Sequence, residues 1–359
     1  MKTHTESLPE TRSNRMALPD VLKGLAVLLM IQVHLTELFA VETWFNSMAG
    51  QISLFLGGPP AAPVFMVVMG YFIAKGNKSL LQNIRHGFKL IFWGLLLNLG
   101  MNAHLLTRVF LGEFDLNPFT YIFGVDILFL AGLSVLVIAL LRNIFRNKLL
   151  LWLLALVFFA IMNSWLPVYS GEIQFIKYVQ AYFFGYYHWS YFPLFPWAAY
   201  PLAGYIFKLL EDRFNFAKIS EKHLLFVAIT LLIILVFSFD YGFGYSTILQ
   251  VYYHHEGLFV VWTLAFVLFW TLTLRLLTGG KTEGFFLHWL QWTGKNVTAF
   301  YVFQWLIIGN VATSLYRSQY LLQLILWFLV VTALSSLLVL LWKKMKKNSK
   351  PKITPENHP

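Results

Sequence analysis

The 359-residue chain contains no cysteine. That excludes disulfides, thiolate-held zinc and a cysteine acyl-enzyme. Charge is also scarce: Asp, Glu, Lys and Arg make up 12% of the residues, against roughly 25% in ordinary globular proteins. A chain this poor in charge cannot clothe a water-facing surface. A soluble domain, a disordered segment and a nucleic-acid binder are therefore excluded, and no nucleic acid is expected as a partner. There is no internal repeat of fixed period and no Walker or Rossmann glycine pattern. Acidic residues are the rarer sign, 16 against 27 Lys and Arg, for a net charge of +11.

Apolar residues are abundant. They make up 58% of the chain, and the mean hydropathy is +0.65. A membrane-crossing helix needs about 20 mostly apolar residues. Ten stretches qualify: 17–40, 54–75, 89–106, 119–141, 149–168, 190–210, 223–239, 257–278, 294–314 and 321–342. The expected fold is thus an all-α polytopic membrane protein of about ten transmembrane helices. An even count puts both termini on one side. Together with connections 76–88, 142–148, 211–222 and 279–293 and the helix ends beside them, the termini hold 24 of the 27 Lys and Arg residues. The other side holds only Arg108, Lys177 and Arg317. Cationic residues mark the cytoplasmic side, so both termini are expected in the cytoplasm and the chain in the plasma (bacterial inner) membrane. Residues 1–16 read as a polar cytoplasmic tail with no cleaved signal peptide after it. Residues 17–342 read as the membrane domain and 343–359 as a basic tail that anchors on anionic lipid.

The first span carries most of the ionisable groups. Asp20 and Lys23 are three residues apart, Lys23 and His34 eleven, and His34 and Glu37 three. At 100° per residue, eleven residues return to within about 20° of the start. All four side chains therefore share a face, and that face must turn away from lipid. The rise between Lys23 and His34 is about 16 Å, which puts the cation near the inner mouth and the imidazole in the outer third.

Lys23, ten residues, then His34, within Asp20-Val-Leu-Lys23-Gly24-Leu-Ala, resembles the first-span signature of acyltransferase family 3. That family belongs to a superfamily of transmembrane acyltransferases that includes heparan-α-glucosaminide N-acetyltransferase. Three further segments are similar. Val64-Phe-Met-Val-Val-Met-Gly70-Tyr-Phe resembles the family's second span, with Met69 where Ser is usual. Tyr191-Phe-Pro193-Leu-Phe-Pro196-Trp197, followed by Gly204, resembles the entry to the sixth span. Gly294-Lys295-Asn296, then Tyr301 and Gln304, resembles the penultimate span, with Gln304 where many members carry His. The resemblance implies an enzyme that takes an acyl group, usually acetyl, from cytosolic acyl-CoA and passes it to a sugar on the far side. It implies His34 as the catalytic residue and Tyr301 and Gln304 as substrate contacts.

The residues suit that chemistry. Unperturbed His titrates near working pH, and a carboxylate can orient its ring. Glu37, one turn above His34, and Asp126, at the outer end of the fourth span, are the two candidate orienting acids. Asp126 is also a candidate partner for Arg108, and His34 for a buried hydrogen bond between helices. CoA phosphates need cations and helix N-termini. Lys23, Lys295 and Asn296 are the candidate cofactor contacts, with Lys295 and Asn296 in the first turn of the ninth span. Lys23 pairing with Asp20, and a plain helix start at Gly294, are the alternatives. The run Gly57-Gly58-Pro59-Pro60-Ala-Ala-Pro63 should break the second span, either lining a cavity with a helix N-terminus near His34 or making a surface turn.

The outer segments 169–200 and 241–256 are rich in Tyr, Trp and His. An interfacial belt explains this, and so does a sugar platform with His188, Trp197, His254 and His255 as candidate substrate contacts. No metal is expected, because adjacent His254 and His255 do not share a helix face. The expected partners are acyl-CoA, an extracytoplasmic glycan or glycolipid and the lipid bilayer, with room for a homodimer. The rival readings are a transporter or flippase for a lipid-linked sugar and a non-catalytic polysaccharide-assembly subunit.

Overall fold

The computed structural model describes residues 17–214, 216, 219–278 and 284–348. The expected N-terminal tail 1–16, and 349–359 of the basic tail, lie outside these residues.

The first helix, α1 (Ala17–Phe39), runs unbroken across its expected range. Next come α2 (Glu42–Phe45), α3 (Met48–Gly57) and α4 (Ala62–Lys75). Ser47 caps α3 by accepting from the Gly50 N–H. The α3 helix stops where Pro59 and Pro60 remove two backbone donors, and α4 restarts with Pro63 in its first turn, where a missing N–H costs nothing. Gly58 through Val64 are all buried, so the break lies in the protein interior and is not a surface turn.

The expected third span is a bent pair, α5 (Leu80–Met101) and α6 (Ala103–Phe110), turned by 60°. A capping box of Ser79 and Gln82 starts α5. Then follow α7 (Pro118–Ile122), α8 (Ile127–Phe145), α9 (Leu149–Ile161), α10 (Gln174–Ala181), α11 (Leu194–Trp197) and α12 (Ala199–Phe214). The seventh expected span is a second bent pair, α13 (Glu221–Phe237) and α14 (Phe239–Thr247), turned by 68°. The chain ends with α15 (Leu249–Tyr253), α16 (Gly257–Thr278), α17 (Phe285–Lys295), α18 (Val297–Leu315) and α19 (Leu321–Asn348). The α19 helix carries Lys343, Lys344, Lys346 and Lys347 in its last turns, so the basic run begins inside a helix.

Six helices are long and apolar enough to cross a membrane, or up to eight if each bent pair is one span. The two other expected spans fall on α9 and α12, which have 13 and 16 residues. Helices of that length rise only about 20–24 Å, short of a hydrocarbon core of about 30 Å. Among the described residues there is no β-strand. Isolated bridges join Ala40 to Gln319 and Val125 to Ser190.

The interior is organised around α1, which touches α3, α4, α16, α17, α18 and α19. In lipid, close helix approach depends on small residues. Here three glycine pairs supply it. A Cβ on Gly24 would overlap the Leu290 carbonyl, and one on Gly294 the Asp20 carbonyl. Gly70 abuts Pro201 while Gly204 abuts Val67, and Gly87 and Gly132 meet each other's carbonyls. These pairs seat α17 on α1, α12 on α4 and α8 on α5. Since Gly24 meets Leu290 and Asp20 meets Gly294, α17 runs antiparallel to α1. The chain reverses at Asn296 and follows α1 outward as α18.

Gly294→Ala should push α17 off α1 and destabilise the protein by about 1–3 kcal/mol, seen as a lower melting temperature in detergent. Gly244→Ala, where an added methyl meets nothing within 4 Å, should be neutral or stabilising.

Candidate active site

In the first turn of α1 the fully buried Asp20 accepts an ion pair from Lys23 at 2.9 Å. The Lys23 ammonium also lies 5.4 Å from the Phe72 ring centre. Lys23 thus pairs first with its own helix. Lys295 and Asn296 sit differently from the sequence expectation. Lys295 is the exposed last residue of α17, not the start of the next span. Asn296 joins the two helices, and its Nδ2 donates to the Trp292 carbonyl at 2.7 Å. The side-chain amide takes up a last-turn carbonyl of α17, and the backbone leaves the helical region there. Lys295 therefore faces a helix C-terminus, whose dipole favours a cation of the protein and not an incoming phosphate.

Eleven residues further along α1, the imidazole of His34 lies against the indole of Trp305 from α18, with ring centres 4.0 Å apart and planes 37° apart. Its Nδ1 is buried without a hydrogen-bond partner, and the residue as a whole is half-buried. Neither expected acid hydrogen-bonds to His34; its ring packs on the Trp305 indole instead. Glu37 is drawn aside: Tyr253 donates to its Oε1 at 3.5 Å, and Arg317 stands within electrostatic range. Asp126 is the N-cap of α8. Its Oδ1 accepts from the N–H of Leu128 at 2.9 Å and of Phe129 at 3.2 Å. Its Oδ2 accepts from the Tyr301 hydroxyl at 3.2 Å. The candidate pairing of Asp126 with Arg108 is not made, because Arg108 bonds Glu113.

Helix α18 therefore connects the two arms of the site. Tyr301 reaches Asp126 on α8, and Trp305, one turn on, meets His34 on α1. Gln304 between them is fully buried, and both atoms of its amide lack a partner. The α3–α4 break borders the same region: Gly57 lies against Val33 and Gly58 against the Tyr252 ring. No side chain caps the N-terminus of α4.

Of the outer candidates, His188 is exposed and lies edge-on to Trp189 at 4.8 Å. His254 is buried, 5.1 Å from the Tyr186 ring. Trp197 and His255 belong to the core. The Trp197 Nε1 donates to the Tyr253 carbonyl at 2.8 Å. His255 has Nδ1 2.6 Å from the Tyr252 carbonyl and Nε2 2.8 Å from the Tyr200 hydroxyl. A carbonyl only accepts, so the Nδ1–H of His255 donates to Tyr252, and Nε2 shares a hydrogen bond with the Tyr200 hydroxyl. Both residues offer packing faces only, and neither presents a surface to a sugar. Among the described residues no group of three or more His, Cys, Asp or Glu could hold a metal ion.

Trp305, Tyr253 and Arg317 have no site role in the sequence reading. Trp305 has a usable signal, one turn beyond Tyr301 on a span that also carries Gln304. Arg317 has another, as one of three cations off the basic side. Its backbone adopts φ of +52°, a conformation that costs a side-chain-bearing residue about 1–2 kcal/mol.

A helical membrane bundle that buries an imidazole, two carboxylates and an amide on converging helices has the build of an intramembrane enzyme or carrier. Residues 17–342 match the acyltransferase domain model of acyltransferase family 3. The chain belongs to that family and is a multi-pass membrane acyltransferase. No curated protein and no solved structure matched it.

Asp126→Ala removes an N-cap worth about 1–2 kcal/mol and strips Tyr301 of its acceptor, so the melting temperature should fall. Asp126→Asn should restore most of it, and Arg108→Ala should change stability by no more than about 0.5 kcal/mol.

Proposed function

We propose that this protein moves an acyl group, acetyl in the simplest case, from cytosolic acyl-CoA to a hydroxyl or amino group of an extracytoplasmic sugar, polysaccharide or glycolipid. The observation that carries the reading is the unbroken α1 helix with Lys23 and His34 on one face, the imidazole pressed against Trp305 with a buried, unpartnered Nδ1. A ring nitrogen without a protein partner is available to take a proton from the acceptor.

In this reading the thioester reaches the outer third beside His34. His34 takes the acceptor's proton as the acceptor oxygen or nitrogen bonds to the thioester carbonyl carbon. The tetrahedral oxyanion is met by the uncapped N–H groups at the start of α4. The C–S bond then breaks, and the CoA thiolate leaves with the proton returned by His34. Attack by an imidazole nitrogen itself would split the transfer into two such steps through an acyl-His. Tyr301, held by Asp126, and Gln304 contact the reacting groups. Lys23 supplies positive charge for CoA phosphates on the cytoplasmic side, while Lys295 and Asn296 end α17 and shape its turn into α18.

Ten spans with both termini cytoplasmic, in a plasma (bacterial inner) membrane, are supported by the sorting of 24 of the 27 Lys and Arg residues to one side. The α19 helix, whose spanning window is only 22% buried, leaves a flank for a homodimer. The bent pairs α5–α6 and α13–α14 would also serve a lipid-linked-sugar flippase. That reading requires transport without consumption of acyl-CoA.

His34→Ala in purified, folded protein should lower transfer from labelled acetyl-CoA about 10²–10⁴-fold. Full transfer by this variant would refute the role of His34.

A further inference from the structure

One turn beyond His34, the outer end of α1 meets the loop between α18 and α19. That loop is strapped to α1 by backbone hydrogen bonds from Arg317 N–H to the Leu38 carbonyl at 3.0 Å and from Gln319 N–H to the Phe39 carbonyl at 2.8 Å. A third runs from Val41 N–H to the Gln319 carbonyl at 3.0 Å. The strap holds Arg317 in its left-handed conformation and lays the guanidinium 3.9 Å over the Phe45 ring. Its Nη1 is buried and has no hydrogen-bond partner. The Arg317 backbone N–H is bonded to Leu38, the residue after Glu37, yet Arg317 and Glu37 close no ion pair. The Tyr253 hydroxyl holds the Glu37 carboxylate at 3.5 Å. The exposed ring of Tyr191 stands 5.3 Å from that of Tyr253.

A guanidinium and a carboxylate placed at the same end of α1 without pairing, beside the exposed ring of Tyr191, suit one ligand chemistry. A hydroxyl donates to Glu37 while it or its neighbour accepts from Arg317, and the C–H face of the ring lies on tyrosine. The two charges cancel, so the site favours a neutral ring over a charged one. The unpartnered buried Nη1 is a donor that packing on Phe45 leaves unused.

The geometry points to Glu37, Arg317, Tyr253 and Tyr191 as the subsite that binds the acceptor, a neutral polyhydroxylated ring, next to His34. Glu37 is then an acceptor-binding residue and not the group that orients the imidazole. The inference rests on the acyl-transfer reading for the purpose of the subsite, but binding can be measured without turnover.

The test is a thermal-shift titration of the full-length protein in detergent, with methyl α-D-glucopyranoside, glucuronate and glucosamine as probes. Wild type should be stabilised saturably by the methyl glucoside and less by the two charged sugars. Arg317→Gln should weaken that binding about tenfold for the lost hydrogen bonds. Tyr253→Phe, which keeps the ring and removes only the hydroxyl, should weaken it by less. No saturable shift in wild type, equal binding by Arg317→Gln, or tighter binding of glucuronate would overturn the assignment. Sugar binding without any acyl transfer would sink the acyltransferase mechanism and leave the subsite standing. Acyl transfer by a protein that binds none of the three sugars would do the reverse.

Discussion

A membrane helix that carries an ammonium, two carboxylates and an imidazole cannot face lipid. Each such group costs several kcal/mol at membrane depth unless protein surrounds it, and this one requirement shapes the fold. Helix α1 lies inside the bundle, and glycines let its neighbours come close enough to exclude lipid. The Gly24–Gly294 crossing sits at the level of the Asp20–Lys23 pair. It fixes α17, and through the reversal at Asn296 it fixes the start of α18. The position of Trp305 over His34 follows from that, so a methyl group at the N-terminal end of α1 acts on the geometry around His34.

The second constraint is that irregular backbone in a membrane must be buried in protein or line a cavity. The prolines after α3 create such a stretch, and it is buried beside Val33 and Tyr252. The free helix end, the imidazole and the amide of Gln304 thus share the interior, while the α18–α19 loop places Arg317 at the C-terminal end of α1, where Tyr253 meets Glu37. Polar groups without protein partners concentrate in this half of the molecule, where a substrate would supply the partners.

Much of this was legible in the sequence. Apolar run lengths marked the helices, and spacing alone placed Asp20, Lys23, His34 and Glu37 on one face. The first-span motif pointed to the family that residues 17–342 match. What was not legible depends on contacts between distant segments. Periodicity placed Glu37 near His34 but could not show that Tyr253, 216 residues away, would hold it. Asp126 precedes an apolar run, which is an N-cap signal, yet its second oxygen is claimed by Tyr301 from another helix. Gly294-Lys295-Asn296 reads as a helix start, whereas in the fold it ends α17, with Asn296 as the cap. The bends in α5–α6 and α13–α14 carry no proline, so nothing in those segments announced them. Trp197 and His255 looked like interfacial residues because composition cannot tell a belt residue from a core one.

Transfer through the membrane is tested most directly by separating donor from acceptor. In proteoliposomes of uniform orientation, labelled acetyl-CoA is placed on one side and the glycan acceptor on the other. Acylated glycan should form only when the donor is on the side of the basic connections and the acceptor on the side of Arg317. Product formed equally well with both substrates on one side, or with their sides exchanged, would contradict a path that runs along α1 from Lys23 to His34.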